Sequence, residues 1–459
     1  MNLIYKGETK FAIPTNINEI NDEAFYFSEL KEIIIPGNVK KIGARAFSFS
    51  VHLKKAIIEN GVEEIGESAF ENCDSLEEVV IPESVRVIKA NAFFSCEKLK
   101  KINLPKGLEK LCDGLFFGCE GLEKIIIPSA VKEIEENVFF DCESLKTVSL
   151  PCGITKIPAG LFVNCKKLEN AAIPETVKEI DLSAFASCQS ITEINVPKNA
   201  KFVVSVQRYS DAVDKCINLK AINIDPENPY YSSIDGIVYS KDGSTLLGCP
   251  MAVKGEFTVP EKVTAIGPYA FFQTNIEKIN IGKKVKEIGK KAFGNCPCLK
   301  EISVEKENKN YSSAEGVLFD KEQKILLAYP NMKEGEIYSL PDTVTVLEEK
   351  FTGSPNLKKI ILGTGLETIK GNFDMCRNLK EIEVREENMF FSAKEGVLFS
   401  KDMTELVQYP QAKEDESYLL PPTVSKMTAA AFMGTNSLKE FRVSKQALTK
   451  ALTFRAAKL

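Results

Sequence analysis

A phrase of twenty-three residues recurs along the chain and constrains the fold more than any other feature. The fixed letters of its clearest copy, residues 62–84, are Val62, Ile65, Gly66, Ala69, Phe70, Cys73, Leu76, Val79, Ile81 and Pro82. Phenylalanine returns at the same interval at Phe47, Phe70, Phe93, Phe116, Phe139, Phe162 and Phe185. Such a period is the signature of a solenoid, in which each unit packs mainly against its neighbours.

Each copy of this phrase predicts one short strand and one compact turn. Residues 76–81 are rich in β-branched side chains, and the alternation of Val79 and Ile81 is typical of a strand. Pro82 lacks the N–H needed for a sheet hydrogen bond, so the strand is expected to end there. Residues 91–96 are too few for an independent helix, and we expect one helical or 3-10 turn whose phenylalanine and cysteine point inward.

The repeat pattern divides the chain into four parts. They are a predicted N-terminal hairpin cap at 1–16, regular 23-residue repeats at 17–199, irregular repeats at 200–443, and a predicted C-terminal capping helix at 444–459. The irregular part holds three predicted hairpin inserts, at 225–259, 305–340 and 385–420. In each insert an acidic residue and a glycine precede a strand, and we interpret these glycines as turn residues because no phosphate-loop motif is present.

The full phrase, V-x-x-I-G-x-x-A-F-x-x-C-x-x-L-x-x-I-x-I-P, resembles that of the BspA-like bacterial leucine-rich repeat family. The insert motif around Tyr311-Ser312-Ser313 is similar to one that recurs in that family, and the resemblance covers residues 11–443. It implies surface exposure in host-associated bacteria and, for some members, adhesion to matrix proteins such as fibronectin or fibrinogen. The family offers no catalytic motif to carry over.

The strand, the turn and this resemblance together give the expected fold class. It is an α/β repeat, a right-handed leucine-rich-repeat solenoid with a parallel sheet on one face and short helical or 3-10 turns on the other. β-Hairpin inserts are expected to interrupt the second half of the solenoid.

Composition and charge exclude several classes of partner. The net charge of −5 argues against nucleic-acid binding, which needs a basic surface. No stretch approaches the roughly 20 apolar residues that span a bilayer, so no transmembrane segment is expected. Residues 1–6 lack the sections of a signal peptide. We therefore expect secretion or a cell-surface location if a signal peptide has been removed, and a cytoplasmic location otherwise.

Nine of the thirteen cysteines fall in one column of the repeat: Cys73, Cys96, Cys119, Cys142, Cys165, Cys188, Cys216, Cys296 and Cys376. Stacked coils would place them about 4.8 Å apart, within reach of a disulfide. Side chains in register point the same way, however, so the favoured interpretation is a column of small buried thiols. A disulfide framework and a metal site are the alternatives, and Cys296 and Cys298 supply only a C-x-C pair.

Catalytic residue types are either scarce or regularly placed. His52 is the single histidine and is predicted to lie on the surface, which disfavours triads and multi-histidine metal sites. Carboxylates are plentiful, but most occupy the same two slots after the repeat leucine, as Glu77 and Glu78 do. A solvated ladder of charges is the favoured interpretation, and a paired-acid hydrolase is the alternative.

The residue between the two inward positions of each strand forms a more informative column. It comprises Ile34, Ile57, Val80, Asn103, Ile126, Ser149, Ala172, Asn195, Asn223, Asn280, Ser303, Ile361, Glu383 and Arg442. If these side chains point outward, Ile34, Ile57, Val80, Asn103 and Ile126 form a candidate partner-binding face. The alternative is that the apolar members reflect β-propensity alone or are covered by a neighbouring chain.

Two pairs of aromatic residues in the inserts are candidate contacts. They are Tyr230 and Tyr231 in the first insert and Phe390 and Phe391 in the third. Stacking on a sugar or a protein is one interpretation, and packing of the insert onto the solenoid is the favoured one.

These observations predict a non-enzymatic protein-binding scaffold, in the first instance a bacterial cell-surface adhesin that recognises host matrix or other macromolecules. The partner is expected to be a protein or another extended macromolecule, and no cofactor, metal or catalytic residue is nominated. An intracellular protein-interaction scaffold is the alternative. Carbohydrate binding or carboxylate chemistry in the inserts is a weaker one.

Overall fold

The computed structural model describes residues 10–203, 215–348, 351, 354–370, 373, 376–429, 431–435 and 437–443. The chain forms two compact units, Met1–Ala252 and Val253–Leu459. Each is a parallel-sheet β-solenoid of several turns, here called coils. The predicted capping helix at 444–459 and the first nine residues of the predicted hairpin cap lie outside the described residues.

Each coil has three sides, and face A carries the longer strands. In the first unit these are Lys10–Ala12, Glu32–Ile35, Lys55–Ile58, Glu78–Val80, Lys101–Ile102, Lys124–Ile126, Thr147–Ser149, Asn170–Ala172, Glu193–Val196 and Ala221–Ile224. Neighbouring coils pair in parallel, so that Ile33 lies beside Ala56 and Ala56 beside Val79. These three side chains are buried, which places the core directly behind face A.

Face B, the second side, consists of very short strands. In the first unit these are Glu19–Ile20, Lys41–Ile42, Glu64–Ile65, Val87–Ile88, Lys110–Leu111, Glu133–Ile134, Lys156–Ile157, Glu179–Asp181 and Lys201–Val203. In the strands up to Glu179–Asp181 the second residue is buried, as Ile42 and Ile65 are. These are the isoleucines of the repeat phrase.

Face C, the third side, corrects the expectation of helical turns. Within the described residues one helix occurs, the 3-10 helix Leu182–Phe185, and the corresponding segments of the other coils are turns. In residues 66–72, Ser68 and Asn72 have φ of 53° and 54°, in the left-handed region that ends a right-handed helix. The backbone bonds run between coils instead, since Phe70 N–H donates to the Ala92 carbonyl at 2.8 Å.

The phenylalanine column is the centre of the first unit's core. Phe47, Phe70, Phe93, Phe116, Phe139, Phe162 and Phe185 are all fully buried. The rings of Phe47 and Phe70 stack with centroids 5.0 Å apart and planes 7° apart, and the stack continues at 5.5–5.8 Å as far as Phe162. Burial of each ring stabilises the fold by roughly 1.5–3 kcal/mol, and each stacked pair adds about 0.5–1.5 kcal/mol.

The cysteine column tethers each coil to the preceding one. Cys73 Sγ donates a hydrogen bond to the Phe47 carbonyl at 3.2 Å, and every cysteine of the column makes the equivalent bond. In an earlier coil Ser50 Oγ takes this place and donates to the Phe25 carbonyl at 3.0 Å. All thirteen cysteines are free, so the favoured interpretation of buried thiols agrees with the structure and the disulfide alternative does not.

The second unit repeats this plan with interruptions. Its face A strands are Lys254–Thr258, Asn275–Ile281, Glu301–Val304, Ile337–Ser339, Lys359–Leu362, Glu381–Val384, Ser417–Leu420 and Glu440–Val443. Its face B strands are Ala265–Ile266, Glu287–Ile288, Val346–Leu347, Thr368–Ile369 and Lys426–Met427. Within this unit the rings of Phe351 and Phe373 stack in the same way, with centroids 5.1 Å apart.

Each insert contains three antiparallel strands. They are Tyr231–Ile234, Ile237–Ser240 and Thr245–Gly248; Tyr311–Ala314, Val317–Asp320 and Ile325–Ala328; and Phe391–Lys394, Val397–Ser400 and Glu405–Gln408. Asp235 and Gly236, which join the first two strands, both have positive φ, as a two-residue type I′ hairpin turn requires. A Cβ on Gly236 would lie 2.5 Å from the Ala221 Cα, so the close approach also requires glycine.

A buried asparagine fastens each insert to the coil before it. Asn308 donates through Nδ2 to the carbonyls of Gly282 and Val285 at 2.8 and 3.0 Å. Its Oδ1 accepts from the N–H groups of Asn310 and Tyr311 at 2.8 and 2.9 Å. The equivalent side chains, Asn228 and Asn388, make the same four bonds.

Replacing this asparagine should loosen the insert. We expect Asn308→Ala to lower the free energy of local opening by about 2–3 kcal/mol, because four hydrogen bonds are lost at a buried site. The measurement is hydrogen exchange of the amides of Tyr311–Ala314. Asn310→Ala is the matched control, since the Asn310 side chain is exposed. Equal protection in both variants would contradict the assignment.

Thiol accessibility should separate the buried cysteine column from the exposed Cys152. Burial raises the pKa of Cys119 and of Cys296 to about 12, so almost no thiolate forms at pH 8. We expect a disulfide-exchange reagent to label the exposed Cys152 rapidly in the native protein and the column only after unfolding. Cys152→Ser should abolish the fast phase. Fewer than thirteen thiols in the unreduced, unfolded chain would contradict the free state of these cysteines.

Candidate functional site

The face A stripe, defined as Ile34, Ile57, Val80, Asn103 and Ile126, points away from the core. Ile34, Val80, Asn103 and Ile126 are exposed, Ile126 to 74% of its surface, and Ile57 is half-buried. The sheet register places Ile34 directly beside Ile57, and Ile57 directly beside Val80. The structure therefore brings three large aliphatic side chains into one contiguous outward patch.

Asn103 interrupts the apolar stripe and is itself held by the neighbouring strand. Its Nδ2 donates to the Ile81 carbonyl at 2.8 Å, and its Oδ1 accepts from the Ile81 N–H at 3.4 Å. These bonds replace part of the sheet ladder, because the strand Lys101–Ile102 ends just before Asn103. The amide side chain is therefore a fixed polar point within the stripe.

Charged residues run along one side of the stripe, at the first position of each strand. Lys55 and Glu78 form an exposed ion pair at 2.7 Å across neighbouring coils. Similar exposed pairs recur elsewhere, for example Lys300 with Glu277 at 2.7 Å. Each exposed pair contributes little to stability. The row instead gives the stripe a polar rim of both signs.

The two residues of each aromatic pair in the inserts have different environments. Tyr231 stacks on Phe202 with centroids 4.6 Å apart, and Phe391 packs against the core of the second unit. Tyr230 and Phe390, which precede them, are exposed. The second aromatic residue of each pair therefore holds the insert on the solenoid, whereas the first points to solvent.

A surface group on face C, here called the N-terminal aromatic cluster, consists of the exposed Tyr26, Phe27 and Val51 and the half-buried Phe49. Phe27 is 61% exposed and Tyr26 40%. The rings of Phe27 and Phe49 stack at 4.9 Å, and Tyr26 meets the edge of Phe27 at 4.6 Å. The sequence analysis did not predict this cluster, because the repeat pattern marks only the inward phenylalanine positions.

Phe27 and Phe49 adopt backbone conformations that are energetically unfavourable for phenylalanine. Their φ angles are 56° and 59°, in the left-handed region, where a residue other than glycine costs roughly 1–2 kcal/mol. In the coils that follow as far as Ser187, the same position holds Asn72, Ser95, Gly118, Asp141, Asn164 and Ser187, which tolerate this conformation better. That departure from the repeat was the available sequence signal.

Two neighbouring carboxylates of face B share one lysine. A surface groove of about 420 Å³ contains Glu133 and Glu135, and Lys110 reaches both, at 3.0 and 2.6 Å. The Lys110 hydrogen bond lowers the pKa of Glu135, which is the opposite of what a general acid needs. His52 is exposed and lies 3.2 Å from Glu29.

The described part of the chain contains no group of three or more His, Cys, Asp or Glu side chains arranged to hold a metal ion. Among the same residues, no helix has the length and hydropathy required to span a bilayer.

The coils, with their leucine, isoleucine, phenylalanine and cysteine columns, define a repeat protein with an outward sheet face. The family model of the BspA type leucine rich repeat region, in six copies, matches residues 5–123, 109–233, 252–321 and 331–450. The chain therefore belongs to the BspA type leucine-rich-repeat family, which confirms the resemblance in the sequence. No curated protein sequence matches it significantly.

Solved structures of several bacterial proteins are similar to this chain. A leucine rich cell surface protein from Faecalibacterium prausnitzii is 21% identical, with 97% of this chain and 90% of that chain covered and a TM-score of 0.46. A leucine-rich repeat protein from Bacteroides ovatus is 21% identical, with coverage of 82% and 87% and a TM-score of 0.43. The pneumococcal vaccine antigen PcpA is 17% identical, with coverage of 96% of both chains and a TM-score of 0.41.

Proposed function

We propose that this chain is a non-enzymatic scaffold that binds a protein partner through the face A stripe. The observation that carries the proposal is the contiguous outward patch of Ile34, Ile57 and Val80, extended by Ile126. An exposed row of aliphatic side chains with a polar rim is the usual anatomy of a protein-binding surface.

β-Propensity alone does not account for the stripe. Further along face A the same outward position holds Ser149, Ala172 and Asn195, on strands with the same parallel pairing. The strand therefore forms without a large aliphatic residue in that position. The concentration of such residues in the first coils supports a binding role for that part of the face.

The backbone of face A restricts how a partner binds there. Each strand of the stripe from Glu32 to Val80 already pairs with a strand on either side. An added strand would find no free row of N–H and carbonyl groups within the face. The partner must therefore use its side chains, with apolar groups over the stripe and charged groups opposite the Lys55 and Glu78 rim.

The proposal extends to adhesion of bacterial cells to host matrix proteins. Family membership and the outward apolar stripe support this extension. An intracellular interaction scaffold would use the same surface with a different partner. Immobilised fibronectin and fibrinogen are therefore the first probes, and failure of both to bind would contradict the adhesin extension.

Removing the aliphatic stripe should weaken binding without affecting the fold. We expect Ile34→Ser, Ile57→Ser, Val80→Ser and Ile126→Ser together to raise the Kd for a bound matrix protein by about tenfold or more. Surface plasmon resonance gives the affinity, and thermal unfolding verifies the fold.

A matched control comes from the later coils of the same face. Ser149→Ala combined with Ala172→Ser alters outward positions that lie beyond the stripe. This variant should bind as the unmodified protein does. Unchanged binding by the four-serine variant would contradict the assignment of the stripe.

A further inference from the structure

We propose that the N-terminal aromatic cluster is a second binding surface, which takes a peptide segment carrying arginine or lysine next to apolar residues. The cluster lies on face C, whereas the stripe lies on face A, so this inference is independent of the proposed function. Two residues of the cluster, Phe27 and Phe49, have backbone φ angles in the left-handed region.

The strain and the exposure of these residues point to binding rather than to packing. The buried phenylalanine column already supplies the core in the same coils, through Phe25 and Phe47. Phe27 adds an exposed ring and Phe49 a half-buried ring, both in the left-handed backbone conformation that Asn72 adopts in the next coil. Residues held against their local preference cluster at functional sites.

The surroundings of the cluster favour a cationic partner. In the coil that follows Phe49, Glu71 and Asp74 are part-exposed. The Phe49 N–H donates to the Glu71 carbonyl at 2.8 Å, which places residue 71 next to the cluster. Glu29, two residues after Phe27, is a third carboxylate, but it is paired with His52.

Two basic groups of the same coils are engaged. Arg45 lies 3.3 Å from Glu23, and His52 lies 3.2 Å from Glu29. The carboxylates that favour a cationic partner are therefore those of Glu71 and Asp74. An arginine or lysine attracted by the carboxylates would also be stabilised over an aromatic ring by a cation–π interaction. Apolar neighbours in the same peptide would cover the remaining exposed ring surface.

Two fluorescein-labelled peptides of about 12 residues with identical leucines test the inference, one carrying four arginines and the other four glutamates. Fluorescence anisotropy on the full chain should show saturable binding of the arginine peptide that weakens as salt increases. The glutamate peptide should bind at least about tenfold more weakly. Equal binding of both peptides, or no binding of the arginine peptide, would overturn the proposal.

Phe27→Asn combined with Phe49→Asn separates binding from folding. Because asparagine suits the left-handed region, the melting temperature should stay within about 2 °C of the unmodified value or rise. The arginine peptide should bind at least about tenfold more weakly. Unchanged binding would overturn the proposal, and so would a loss of binding that accompanies a large drop in melting temperature.

A second variant, Glu71→Gln combined with Asp74→Asn, tests the charge and leaves the rings in place. It should reduce the preference for the arginine peptide over the glutamate peptide by about fivefold or more. An unchanged preference would overturn the assignment of a cationic partner. Saturable binding of a neutral oligosaccharide that displaces the arginine peptide would assign the surface to sugars instead and would also overturn it.

Discussion

Contact between equivalent residues of successive coils is the interaction on which the rest of the structure depends. The phenylalanine rings stack at 5.0–5.8 Å, and each column cysteine donates to a phenylalanine carbonyl of the coil before it. Backbone bonds on all three faces also run from coil to coil. A single coil could bury none of these groups, so stability comes from neighbours, as in other repeat proteins.

The period of the sequence was sufficient to predict the stacking but not the form of the third side. Parallel strands on face A follow from the inward Val79 and Ile81 and from Pro82 after them. The expectation of a helical or 3-10 turn in each coil is wrong for the described coils other than the one that contains Leu182–Phe185. Left-handed residues such as Asn91 and Ser95 interrupt any helix there, and their N–H groups bond to the next coil. In a single sequence such residues are only small polar residues, and their type alone does not predict a left-handed backbone conformation.

The candidate surfaces differ in how far the sequence could predict them. The outward direction of Ile34 and Val80 follows from the alternation of a strand, because the neighbouring positions are inward. Phe27 and Phe49 could be found only as departures from a position that holds Asn, Ser, Gly or Asp in the following coils. The buried Asn308 gave a weaker signal, since its role depends on carbonyls about 25 residues earlier in the chain. Regular positions thus form the scaffold, and the proposed binding surfaces lie where the repeat leaves freedom.

Residue-resolved hydrogen–deuterium exchange on the free chain tests the central claim, that each coil is held by its neighbours on all three sides. Ser68, Phe70 and Asn72 of face C donate to carbonyls of the next coil, as strand residues do on face A. Their amides should therefore exchange as slowly as that of Val79. Rapid exchange at these face C amides, with protection confined to the strands, would show that face C is an ordinary loop and would contradict the account.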